Sequence, residues 1–103
     1  MLVYKFVEEK DGRFFSPSSP VRGIFEYRFN EYIKAEKGNV GWGIYCFYRE
    51  ALKTVSRFTK RDFTLIELEV NEEDLLRIES ERICVFKGVT PIRVIPREIY
   101  DTW

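Results

Sequence analysis

A chain of 103 residues and 12.4 kDa has the length of one domain, and its 45% hydrophobic and 17% aromatic content excludes a disordered tail. Lys and Arg number 17 and so do Asp and Glu, so a net charge of zero argues against general polyanion binding. His is absent and Cys occurs twice. That excludes His-based triads, two-histidine zinc sites, His general bases and a four-thiolate zinc site, so no metal is expected.

The elements follow from periodicity. Leu2 to Val7 alternates, with Leu2, Tyr4 and Phe6 opposite Val3, Lys5 and Val7, which reads as a strand. Asp11-Gly12 is a hairpin dipeptide, and Arg13-Phe14-Phe15 starts a return strand. Ser16 to Pro20 holds two prolines and reads as a loop. Gly23 to Phe29 alternates again, and residues 31–37 either extend that strand or form a helical turn. Gly38 to Gly43 is a glycine-rich loop that precedes a strand, Gly43 to Phe47, and so does not fit a dinucleotide fingerprint. In the next segment Tyr48, Ala51, Leu52, Val55 and Phe58 form one apolar stripe and predict the main helix, over about 48–60. Phe63 to Val70 alternates as a strand. Asn71 is then a good N-cap for a short helix through about Ile78. Glu81 to Lys87 reads as a strand, Gly88 to Pro91 as a turn, Ile92 to Ile95 as the last strand, and Pro96 opens a terminal helical turn.

The whole predicts a single α+β domain over 1–103: a largely antiparallel or mixed sheet of five to seven short strands, with one main helix packed on a face. Tyr4, Phe6, Phe25, Tyr27, Ile44, Cys46, Leu52, Val55, Leu65, Ile66, Leu68, Val85 and Ile92 should supply most of the core. No segment approaches the ~20 apolar residues of a membrane span, and the first residues lack the apolar core of a signal peptide. A cytoplasmic setting is therefore expected, with Cys46 and Cys84 as free, buried thiols. The 33% charge, the single Met and the lack of Gln lean toward thermophile-like usage.

Charge is uneven along the chain. Residues 1–61 carry 12 basic and 7 acidic side chains, residues 62–103 carry 5 and 10. Arg49, Lys53, Arg57 and Lys60 recur at helical spacing opposite the apolar stripe. Like charges at that spacing repel, so this basic face suggests a phosphate-bearing or acidic protein partner. Arg13-Phe14-Phe15, Tyr27-Arg28-Phe29 and Arg57-Phe58 interleave aromatic and basic residues, the pattern of a single-stranded nucleic-acid binder. Glu67 and Glu69 share one face of a strand and are the carboxylate candidates for acid–base work. No complete catalytic set assembles from these residues, and the first reading is a non-catalytic binding module without a cofactor, acting through the basic helix face.

Gly41-Trp42-Gly43-Ile44-Tyr45-Cys46-Phe47, followed by a helix with Ala51, resembles the GxGIYF…A segment of ADP-ribosyltransferase-fold proteins. That resemblance implies NAD as a cofactor and Tyr45 stacked on the nicotinamide ring. It also implies an early-strand residue, here Arg22 or Arg13, and a late catalytic Glu, here Glu67, Glu69 or Glu98. A longer set of segments is similar to small uncharacterised proteins of phages and prokaryotes: Tyr4-Lys5-Phe6-Val7, Gly43 to Phe47 with Ala51-Leu52, Ile66 to Val70, and the Ile83 to Lys87 and Ile92 to Ile95 close. That likeness implies a shared order of elements and no particular activity.

Overall fold

The computed structural model describes residues 1–16, 26–35, 43–55 and 62–103. Among them are nine strands: β1 (Leu2–Lys10), β2 (Arg13–Phe15), β3 (Glu26–Tyr27), β4 (Ile33–Lys34), β5 (Ile44–Phe47), β6 (Thr64–Glu69), β7 (Leu75–Ile78), β8 (Ile83–Phe86) and β9 (Gly88–Ile95). Short 3-10 segments occupy Arg49–Thr54 and Glu72–Asp74, and a four-residue helix, α1, spans Arg97–Tyr100. The sheet runs β4-β9-β6-β1-β5-β8-β7, and every described pairing is antiparallel.

β1 organises the sheet because it has more partners than a strand edge can give. Leu2 to Val7 pair with β6, and Glu8 to Lys10 leave that ladder to pair with β2. The hairpin turn between β1 and β2 is Asp11-Gly12, at φ 54° and 77°. Two successive positive φ values define the I′ turn that suits the twist of paired strands. A Cβ on Gly12 would meet nothing within 4 Å. Gly12→Ala should therefore cost about 1 kcal/mol through backbone conformation alone, readable as a lower urea midpoint at unchanged slope.

Both faces of the central sheet are buried, which explains why both faces of β1 are apolar. Val3, Val7, Ile44, Cys46, Ile66, Leu68, Cys84 and Phe86 form one cluster, capped by Tyr27, Phe14, Phe29 and Ile33 from the β2–β4 region. Tyr4, Phe6, Leu52, Leu65, Ile95 and Tyr100 form the other, with Phe47, Val55, Phe63 and Trp103 packed against it. Of the thirteen expected core residues, ten are buried. Val55 and Ile92 are half-buried, and Phe25 lies outside the described residues.

Four expectations are corrected. The described residues hold nine strands where five to seven were expected, because β4 stands apart from β3 and Leu75–Ile78 is strand rather than helix. The main helix expected over 48–60 is, where described, a 3-10 segment that ends at Thr54, with Val55 already extended at ψ 142°. Thr54 Oγ donates to the Ala51 carbonyl at 2.9 Å, a side-chain bond that competes with helix propagation, and Val55 adds a β-branched residue. Residues 56–61 lie outside the described residues. The helix expected from Asn71 to Ile78 is a single 3-10 turn without a side-chain cap, followed by β7. Pairing of Leu75, Arg77 and Ile78 with β8 outweighs the capping signal. The turn expected at Gly88 to Pro91 is the first half of β9. Gly88 is there because Tyr32 lies across it, with its hydroxyl and ring where a Cβ would stand. Pro91 is tolerated because the β6–β9 register shifts beside it, opposite Glu67 and Leu68. Its carbonyl accepts from the Asn30 N–H at 2.8 Å.

Candidate functional site

β1 and β5 are neighbours in the sheet, yet among the described residues only Tyr4 and Phe47 are in register. Beyond that pair the strands part and leave a cleft of about 180 Å³ lined by Lys5, Phe6, Tyr45, Cys46, Phe47, Phe63 and Ile83. Its walls are set by alternation. Tyr45 and Phe47 project from one face of β5, Phe6 from β1, and Ile83 stands opposite Phe47 on β8. Phe6 and Phe47 meet edge to face at 6.2 Å, which fixes the inner wall.

Among the described residues Lys5 is the one charged residue on this lining. It occupies the β1 face of Val3 and Val7, opposite Ile66 of β6, where alternation calls for an apolar side chain. Its Nζ crosses the gap and donates to the Tyr45 carbonyl at 2.9 Å. Lys5 is half-buried, and burial holds its ammonium below the ordinary lysine range. Beside it the Cys46 thiol is pushed up to about 12 by burial, with Lys5 pulling it partly back. Cys46 and Cys84 face each other across β5 and β8 as free, buried thiols.

Tyr45 forms the rim and is 38% exposed. Arg77 of β7 lies in the same cross-strand row, through Val85. It donates from Nη2 to the Tyr45 hydroxyl at 2.8 Å, and its guanidinium carbon stands 5.6 Å from the ring centroid. Arg77 also bonds Glu79 at 2.5 Å, and these two contacts raise its pKa. The rim ring is therefore held in place by Arg77.

The other candidate residues lie elsewhere. Glu67 is 5% exposed and stands between Tyr4 of β1 and Arg93 of β9 in one row of the sheet. It accepts from the Tyr4 hydroxyl at 3.0 Å and from Arg93 Nε at 3.0 Å. Burial and this carboxylate push the Tyr4 hydroxyl up to about 12. Glu69 is exposed at the strand end, 3.7 Å from the N-terminal amine. β1 lies between Glu67 and β5, so the structure does not bring either carboxylate to Tyr45. Glu98 lies in α1 and is exposed.

Of the basic face, Arg57 and Lys60 lie outside the described residues, as do Arg22 and the loop of residues 38–42. Arg49 and Lys53 are exposed, but a 3-10 segment has about three residues per turn, so they point about a third of a turn apart. Arg49 lies over the Trp103 ring, 4.1 Å from its centroid. Of the interleaved segments, Arg57-Phe58 lies outside the described residues. In the other two, Phe14 packs against Phe29 with ring centroids 5.3 Å apart, Tyr27 is buried, and Arg13 and Arg28 both bind Glu26. The paired arginine contacts hold the Glu26 carboxyl down to about 2.

Sequence reasoning missed Lys5 and the cleft. The signal for Lys5 was present, a charged residue mid-strand between Val3 and Val7. The cleft had none, because strand order decides which residues meet across β1 and β5. Among the described residues no group of three or more Cys, Asp or Glu is placed to hold a metal ion, and no helix is long and apolar enough to cross a membrane. No family model, curated protein or solved structure matches the chain.

Proposed function

We propose that the protein is a binding module whose ligand seats a flat, apolar group in the cleft between β1 and β5. The observation that carries this reading is the parting of two adjacent strands around a pocket walled by Phe6, Tyr45, Phe47, Phe63 and Ile83. An apolar concavity with one polar group at its edge is the usual form of a small-molecule site. A comparable apolar cavity, of about 150 Å³, is enough to hold a benzene ring. The basic face supplies weaker support, because Arg49 is drawn onto Trp103 and away from Lys53.

A second reading, NAD binding with Tyr45 stacked on the nicotinamide ring, is favoured by the exposure of Tyr45 at the rim. It ranks below the first on charge. The oxidised nicotinamide ring is cationic, and a ring stacked on Tyr45 would stand near two cations, Lys5 and Arg77.

Benzamide, a neutral ring of the right size, tests the primary reading. Titrated into labelled protein, it should give saturable amide shifts centred on Lys5, Tyr45, Phe47 and Ile83. Tyr45→Ala removes an exposed rim residue and should weaken that binding while leaving the fold intact. Absence of saturation at millimolar benzamide, or shifts centred elsewhere, overturns the reading. NAD in the same titration tests the second reading, which requires saturable binding lost in Tyr45→Ala.

A further inference from the structure

We infer that the cleft selects an aromatic ring carrying a carboxylate, with the Lys5 ammonium as its counter-ion. This rests on the cleft being the binding site and specifies the chemical class of what enters it.

The argument starts from charge. A cation drawn partly out of water is costly unless an anion or several acceptors replace the lost hydration. Among the described residues Lys5 has one acceptor, the Tyr45 carbonyl, and no carboxylate within ion-pair distance. The other described lysines differ. Lys10, Lys34 and Lys53 are in water, and Lys87 has Asp74 at 3.8 Å. The ammonium has three N–H donors, so two remain for a ligand.

The ligand's own charge follows from what surrounds Lys5. Ile66 faces it from β6, and the Cys46 thiol faces it from β5 with its pKa near 12, so neither brings a negative charge at neutral pH. One monovalent anion therefore balances the site. A phosphate dianion would leave a net negative charge against five apolar side chains. A cationic ring would add to the imbalance. A carboxylate on a flat ring satisfies the ammonium and the walls together.

This pairing also sets a pH dependence. An anion favours the charged lysine, so binding raises the Lys5 pKa from its depressed value in the free protein. Affinity should be level below the free-protein value and fall as pH rises through it, with proton uptake in that range.

Benzoate compared with benzamide isolates the carboxylate, because the two share ring and shape. Benzoate should bind roughly tenfold tighter or more, the worth of a hydrogen bond to a charged group. Lys5→Met should abolish the difference between the two probes. In the wild type, the NMR titration midpoint of Lys5 should move up on saturation with benzoate, a readout that needs no variant. Equal affinities for the two probes, or a Lys5 midpoint unmoved by benzoate, overturn the carboxylate inference while the cleft reading stands. Failure of both probes to bind overturns the cleft reading itself.

Discussion

Leu52→Ala should lower the unfolding free energy by about 2–5 kcal/mol. Leu52 is 1% exposed and lies in the cluster of Tyr4, Phe6, Leu65, Ile95 and Tyr100. Its side chain is the buried anchor of the Arg49–Thr54 segment, whose 3-10 hydrogen bonds give little stability of their own. Truncation removes the transfer energy of the lost methyl groups and leaves a cavity that a sheet on one side cannot collapse to fill. Urea unfolding should show a reduced midpoint with an unchanged slope. A loss below about 0.5 kcal/mol, the range of surface substitutions, would place Leu52 outside the core.

Leu52 also shows how far the sequence reaches. The spacing of Ala51, Leu52 and Val55 correctly identifies the side that packs, since the first two are buried and the third half-buried. It does not identify the helix type, because one turn of α-helix and one of 3-10 helix put neighbouring apolar residues on the same side. Alternation was more informative. It places Leu65 and Glu67 on one face and Ile66 and Leu68 on the other, as the two clusters confirm. The Asp11-Gly12 turn was equally legible, since its chemistry is local. Gly88 and Pro91 misled for the opposite reason. Their roles depend on Tyr32, Asn30 and a register shift against β6, all distant in sequence. The cleft belongs to the same class. Lys5 stands out as a charge on an apolar strand face, but Tyr45, Phe63 and Ile83 become its neighbours only once β5 is placed between β1 and β8.

Glu67 was one of the carboxylate candidates, and its surroundings argue for a structural role with a definite energetic signature. Tyr4→Phe should cost about 1.5–3 kcal/mol, the range for a hydrogen bond to a charged group. The Tyr4 ring is 3% exposed, so the Phe ring keeps its packing, including the edge contact to Trp103 at 5.1 Å. What is lost is one of the two side-chain donors to a carboxylate that is itself buried. In a Glu67→Leu background the same Tyr4→Phe change should be neutral or stabilising, because the hydroxyl then has no acceptor and its removal relieves an unpaired buried group. The sign reversal is the test. A double-mutant cycle by urea unfolding should return a large favourable coupling between positions 4 and 67. Equal costs for Tyr4→Phe in both backgrounds would mean that the hydroxyl does not hold Glu67, and that this carboxylate is free to serve in proton transfer after all.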